Sequence, residues 1–204
     1  MNKLINILRE TLLKQKMKDH RTFLENNAMI GKYVNSASFT SKNYILRLNI
    51  NNFSKEKDRI IIGDNCNLSL SIFCNYEGSV KIGDFVFMNE GCLIRVDHSV
   101  EIGSHCLFGP RVHIWDTDNH PLSRSARHKQ AEIIPLERIN TYDADGGPIK
   151  IGNDVWLCMD VLVLGGVTIG DGSIVAAKSV VTKDIPPMKI AAGIPAKIIG
   201  DVPE

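Results

Sequence analysis

The sequence predicts an all-β fold, a parallel β-helix whose coils stack as a triangular prism, and three observations predict it. A six-residue unit runs in frame from Ile151 to Pro186 as IGNDVW, LCMDVL, VLGGVT, IGDGSI, VAAKSV and VTKDIP. The same unit opens at Ile62, Ile82 and Ile102 as IGDNCN, IGDFVF and IGSHCL, at starts 20 residues apart. The first position of the unit is aliphatic and the fifth is small or aliphatic, as in Val155, Val161, Val167, Ser173, Ser179 and Ile185. A lone strand alternates with period two and a helix with period about 3.6, and neither yields a period of six held over so many units.

The physical reading is one short strand and one bend per hexapeptide and three hexapeptides per coil, with two further residues filling each 20-residue interval. Coils then stack at the inter-strand spacing of roughly 4.8 Å. The leading residue and the small fifth residue both point into the narrow interior. The leading positions of the first three coils are read as Ile62, Leu68 and Cys74, then Ile82, Met88 and Ile94, then Ile102, Phe108 and Ile114. Glycine at the second position is expected to relieve the bend. Two fifth positions are polar, His98 and Asp118; they are expected to be rung neighbours, forming a polar floor or turning outward where a coil is distorted.

Taken in order, residues 1–59 are an accessory segment. Leu4, Ile5, Leu8, Leu12 and Leu13 lie at helical spacing within a helix expected over residues 1–30. Its lysines suit either a solvated face or peripheral contact with an anionic membrane, and packing against the protein is favoured. Residues 31–59 are polar and hold an irregular first coil around IGKYVN. Residues 60–186 form the prism. They are interrupted by an excursion over 119–148, too long for an ordinary connection; such a loop is functional or disordered, and this one is expected to set acceptor choice. Residues 187–204 form a tail, because Pro186 and Pro187 cannot donate to the ladder and are expected to end it.

A formal net charge of +1 gives no footprint for nucleic acid. No apolar run reaches membrane-spanning length, and charges come too early in MNKLINILRE for a secretory signal. The five cysteines include no CxxC pair and read as reduced thiols of a cytoplasmic protein, with Cys66, Cys74, Cys92 and Cys106 as small buried residues. There is no P-loop, metal-ligand cluster or GxSxG, so no metal is required.

The period resembles that of the hexapeptide-repeat acyltransferases, and that resemblance implies left-handed coils, an exception to the usual right-handed crossover, and a homotrimer with active sites between subunits. FGPRVHIWDTDNHP, IGNDVWLCMDVLVLGGVTIGDGSIVAAKSVVTKDIPP and AAGIPAKII resemble in particular the galactoside and maltose O-acetyltransferases, over roughly residues 80–199. The resemblance implies acetyl-CoA as cosubstrate, a carbohydrate acceptor and His120, of the His-Pro pair, as general base. One residue is inserted between Pro110 and His120 relative to the family's pattern. An imidazole titrates near neutral pH and can take a hydroxyl proton as the oxygen attacks a thioester; it also needs an orienting partner on its other nitrogen. Asp116 and Asp118 are near in sequence, and neither is assigned that task.

By the same resemblance Asn89 and Asp97 contact the acceptor, and Trp156, Met159, Ala177, Thr182, Lys183 and Lys197 contact coenzyme A. The chain departs from the pattern at Cys158, Met159 and Ala176, where Gly, Ser and Gly are expected, and at Gly200, where a basic residue is expected. Arg124, Arg127, His128, Lys129 and Arg138 make the excursion basic, which suits a glycan or nucleotide-sugar acceptor. Alternatives are an antibiotic O-acetyltransferase, a sugar N-acetyltransferase, a covalent acetyl-Cys158 route, a non-catalytic β-helix scaffold, and a metal-binding β-helix using His98, His105 and His113.

Overall fold

The computed structural model describes residues 44–52, 56–75, 77–137 and 145–204. The helix expected over residues 1–30 and the coil expected around IGKYVN lie outside the described residues.

Three faces make the prism. The first face stacks β2 (Ile60–Ile62), β4 (Ser79–Ile82), β6 (Ser99–Ile102), β9 (Ile149–Ile151) and β12 (Thr168–Ile169) in parallel. The longer strands β3 (Asn67–Cys74) and β5 (Phe87–Val96) turn a corner and contribute to both other faces. The second face continues from them through β7 (Leu107–Phe108), β10 (Trp156–Leu157), β13 (Ile174–Val175) and β15 (Lys189–Gly193). The third continues through β8 (His113–Trp115), β11 (Leu162–Leu164) and β14 (Val180–Val181). β1 (Tyr44–Asn52) pairs in parallel along β3, so the ladder reaches back into the stretch expected to be accessory.

Leading residues stack on their counterparts and fill the interior. Ile62, Ile82, Ile102, Ile151 and Ile169 form one buried column, and Leu68, Met88, Phe108, Leu157, Val175 and Ala191 a second. The third column passes through Ile72, not Cys74: it runs from Ile50 through Ile72, Ile94, Ile114 and Val163 to Val181. Leu68 faces Met88 but Leu70 faces Cys92, so β5 holds two more residues than β3 across that corner. A count from Ile62 cannot see this bulge. Cys66, Cys74, Cys92 and Cys106 are all buried, as expected of small core residues, and burial pushes the Cys66, Cys74 and Cys106 thiols up to about 11.

The second-position glycines answer to a different constraint from the one expected. Gly63, Gly83, Gly103 and Gly152 each donate N–H to the next coil at 2.8 Å, and the coils meet there backbone to backbone. A Cβ on Gly103 would lie 2.6 Å from the carbonyl carbon of Gly152, closer than any side chain tolerates. The left-handed bend falls two residues later, on Asn65, Phe85, His105 and Asp154, with φ between 57° and 61°. The third position forms a polar ladder: Asp84, Ser104, Asn153 and Asp171 accept the N–H of Asp64, Asp84, Ser104 and Asn153 at 2.7–3.0 Å. Coil-to-coil stacking therefore selects Ile-Gly-(Asp/Asn/Ser).

Pro186 and Pro187 end only the first face, after an isolated bridge between Ile169 and Ile185. On that face no further coil follows among the described residues, so a missing N–H leaves no carbonyl without its donor. The chain does not leave the prism. It returns as β15 on β13 and folds back antiparallel as β16 (Ala196–Asp201). Replacing Gly103 by Ala is expected to destabilise the protein by about 1–3 kcal/mol, the usual penalty of overpacking. Gly200→Ala, where a Cβ meets nothing within 4 Å, serves as the neutral control. Urea unfolding midpoints for the two variants check the difference.

Candidate functional site at the edges of the third face

The excursion leaves the prism after β8 at a corner built around a buried carboxylate. Val96 occupies the inward position at the end of β5, and one coil later the corresponding residue is Asp116, 0% exposed. Its two oxygens accept the N–H groups of Asp97 and His98, both at 2.8 Å. Burial raises the Asp116 carboxyl above the ordinary range, against the two backbone donors that lower it. His98 and Asp118, the expected polar floor, are both exposed. The 20-residue coils carry their extra residues at this corner, so the inward position falls two residues earlier, on Val96 and Asp116, and His98 and Asp118 are carried outside.

The excursion is pinned where it starts and ends. Thr117 bridges to Gly146, Asp118 N–H donates to Asp145 O at 2.7 Å, and Gly147 N–H donates to Asp116 O at 2.9 Å. A Cβ on Gly146 would fall 2.2 Å from Asp116 O, so the close return of the chain requires glycine. Between these points lies α1 (Arg124–Glu137), a helix the sequence reading missed. Its signal was a run of helix-compatible residues, Arg-Ser-Ala-Arg-His-Lys-Gln-Ala-Glu, ahead of Pro135. Arg127 donates to Pro121 O at 3.1 Å and also to Leu122 O, so this arginine fastens the helix to the His-Pro segment rather than facing solvent as a free cation. His128 lies 3.5 Å from Glu132, and Arg138 is outside the described residues.

His120 is exposed at this edge, between Asn119 in a left-handed conformation (φ 58°) and Pro121. Its Nδ1 is 2.8 Å from Oε1 of Gln130, a residue only 2% exposed on α1. Asp97 lies at the same corner: its amide rests on Asp116 and its carboxylate accepts from Asn75 Nδ2. Arg95 lies above the Trp115 ring, its guanidinium 5.8 Å from the centroid, and neither Arg95 Nε nor Trp115 Nε1 has a hydrogen-bond partner among the described residues.

The opposite edge of the third face carries three of the remaining expected residues in one stack. Arg111 N–H donates to Glu90 O, Asp160 N–H to Pro110 O and Lys178 N–H to Met159 O, at 2.9–3.0 Å. Asn89, Met159 and Ala177 therefore share this edge. Lys197, opposite Ala192 in the final hairpin, lies just beyond it, and exposed Trp156 lies on the adjoining second face. Thr182 and Lys183 follow β14 across the third face and are exposed. Within one chain, then, Asn89, Met159 and Ala177, with Lys197 beside them, lie at one edge, and Asp97, His120, Thr182 and Lys183 lie at the other. An ion-pair clamp braces the first edge: Arg111 Nε and Nη2 reach the two oxygens of Asp160 at 2.6 and 2.9 Å, and Lys178 Nζ reaches it at 3.3 Å. Cys158 is half-buried at this edge, and burial raises its thiol pKa, which disfavours the thiolate. His105 stacks on Phe85 at the corner after the first face, far in register from His113 on β8. Among the described residues no three His, Cys, Asp or Glu side chains gather as metal ligands. No helix among them is long and apolar enough to cross a membrane.

Stacked hexapeptide coils with an excursion at one edge make the fold a left-handed parallel β-helix. The bacterial transferase hexapeptide family (six repeats) matches residues 148–183. The chain is similar to the galactoside O-acetyltransferase of Escherichia coli (strain K12), 35% identical over 141 residues that are 69% of this chain and 63% of that one. It is 34% identical over 138 residues to the galactoside O-acetyltransferase of Lactococcus lactis subsp. lactis (strain IL1403), 67% of this chain and 60% of the other. Among solved structures, a hexapeptide-repeat-containing acetyltransferase from Vibrio cholerae O1 biovar eltor, complexed with acetyl-coenzyme A, superposes with a TM-score of 0.53 at 29% identity, covering 65% of this chain and 66% of that one. The chain thus spans less than two thirds of the length of the curated relatives it matches.

The clamp has a pH signature. The Arg111 guanidinium, with Lys178, holds the Asp160 carboxyl down to about 2. A free Asp titrates near 3.9, so the stabilisation is present above about pH 4 and is lost as pH falls through the depressed value. The unfolding midpoint of wild type minus that of Asp160→Asn is expected to stay constant from neutral pH to about pH 4 and to shrink towards about pH 2.

Proposed function

We propose that this protein transfers an acetyl group from acetyl-CoA to a hydroxyl of a carbohydrate acceptor, with His120 as the general base. The observation that carries the reading is the state of that imidazole: exposed at the edge of the prism, with Nδ1 engaged at 2.8 Å and Nε2 left to face an acceptor. Likeness to galactoside O-acetyltransferases and to an acetyltransferase structure holding acetyl-coenzyme A supports the reaction class. In the reaction, Nε2 takes the proton of the acceptor hydroxyl as its oxygen attacks the thioester carbonyl. The tetrahedral intermediate collapses, the C–S bond breaks, and the imidazolium returns the proton to the leaving thiolate, giving an acetyl ester and free CoA. No acetyl-enzyme forms, and Cys158, with its raised thiol pKa, is not called upon.

Asp97 and Asn89 are the proposed acceptor contacts, since a carboxylate and an amide can each bridge sugar hydroxyls. Trp156, Met159, Ala177, Thr182, Lys183 and Lys197 are the proposed line of the pantetheine arm and phosphates. The exposed Arg124 and Lys129 of α1 favour a glycan or nucleotide-sugar over a free monosaccharide. Because the base lies at one edge of the prism and Met159 and Ala177 of the donor line at the other, a complete site needs an edge from a second copy. A homotrimer joined edge to edge supplies three such sites. The buried reduced cysteines suit the cytoplasm, where activated sugars and acetyl-CoA are available.

CoA release measured across sugars, nucleotide-sugars and oligosaccharides tests the reaction. His120→Ala is expected to lower kcat by about 10²–10⁴-fold, the usual worth of a general base. Folding and CoA-induced thermal stabilisation should remain, because the side chain fills no core. A dead Cys158→Ala beside an active His120→Ala would overturn direct transfer. The oligomer is checked by light scattering with parallel assays: activity is expected to fall as trimers dissociate on dilution, and a fully active monomer would contradict the shared site.

A further inference from the structure

We infer that Gln130 is the positioning residue of the base, holding His120 as the Nδ1–H tautomer through a neutral, not a charged, partner. The inference rests on the reading of His120 as the base, but its geometric half stands apart from that reading. Gln130 is 2% exposed, and it grips two consecutive residues of the excursion's start. Its Nε2 donates to Asn119 O at 3.3 Å, and its Oε1 lies 2.8 Å from His120 Nδ1.

Those two contacts determine every proton between them. A backbone carbonyl only accepts, so the amide must turn its NH₂ towards Asn119 and its oxygen towards the imidazole. An amide oxygen likewise only accepts, so His120 Nδ1 must carry the hydrogen. The lone pair is then left on Nε2, the atom that takes the acceptor's proton. Asn119 itself is held in place, with φ 58° and its N–H on Thr117 Oγ1 at 3.2 Å, and Thr117 is tied to Gly146 across the mouth of the excursion. Arg127, one helical turn before Gln130, anchors the same helix to Pro121 O. The imidazole is therefore oriented from α1, and the excursion builds the base as well as the acceptor's surroundings.

The neutral partner matters. A carboxylate at this position would favour the imidazolium and hold the base protonated to higher pH, whereas an amide orients the ring without adding charge.

Two substitutions separate these effects. Gln130→Met keeps length and apolar packing but removes both hydrogen bonds. It is expected to lower kcat by about 10–100-fold, on the scale of lost outer-shell contacts, with KM for acetyl-CoA unchanged. Gln130→Glu restores an acceptor for Nδ1–H. It is expected to recover much of kcat while moving the acid limb of the kcat/KM profile to higher pH. The readout independent of turnover is ¹⁵N NMR of histidine-labelled intact protein, with the His120 signals assigned by their loss in His120→Asn. Wild type should show Nδ1 protonated and Nε2 bare, and Gln130→Met should show a mixture of tautomers. A wild-type Nε2–H tautomer, or a Gln130→Met protein with wild-type tautomer and wild-type kcat, would overturn the inference. If His120→Ala remained active while the tautomer was fixed as described, the assignment of the base would fail and the positioning contact would stand.

Discussion

The structure depends on how closely one coil lies on the next. Backbone N–H groups on successive coils meet the neighbouring carbonyls at 2.8–3.3 Å around the prism, and at the second position of the hexapeptide there is no room for a single carbon between them. That contact explains the repeat better than the apolar interior does. Interior positions tolerate Ile, Leu, Met, Phe and Val, since each column needs only volume. The Gly63–Gly83–Gly103–Gly152 line tolerates one residue type, and the polar ladder beside it, Asp84, Ser104, Asn153 and Asp171, tolerates only side chains that accept an N–H at short reach.

Rigid stacking also divides the labour at the candidate site. Corners repeat in register, so a residue type placed at one corner is copied up an edge. One edge thereby acquires Asn89, Met159, Ala177 and the Arg111–Asp160–Lys178 clamp. The other departs from repetition once, where the inward position changes from Val96 to Asp116. A buried carboxylate there satisfies two amides of the coil before it and marks where the chain can leave. The excursion is thus hydrogen-bonded to the prism at both of its ends, while the histidine it carries is exposed. Precision comes from the prism, and access comes from the interruption.

The prism, its period and the break at the His-Pro pair were legible in the residues, because stacking imposes a rule on each hexapeptide separately. Errors arose where one coil's arithmetic differed from the next. The bulge in β5 moved the third column from Cys74 to Ile72, and the longer corner moved the inward position from His98 and Asp118 to Val96 and Asp116. Neither shift can be seen until a strand has a partner to be measured against. Gln130 escaped notice for a related reason. It lies ten residues from His120, its role depends on a helix folding back, and no local pattern connects an amide on α1 to an imidazole across the loop. The proline pair was read correctly as a stop for hydrogen bonding and wrongly as the end of the fold, because a prism has three faces and the prolines close one.

That closure bears on how the protein stays in its own company. A column of parallel strands presents, at its last rung, an open template on which any extended chain can add, in the manner of a growing fibril. Here the last rung of the first face carries Pro186 and Pro187, which offer an arriving strand no N–H, and the second face is overlaid by the antiparallel turn of β16. Pairing beyond these rungs is thus opposed by chemistry on two of the three faces, and end-to-end polymerisation, the natural hazard of this architecture, is discouraged there by two rings and a hairpin.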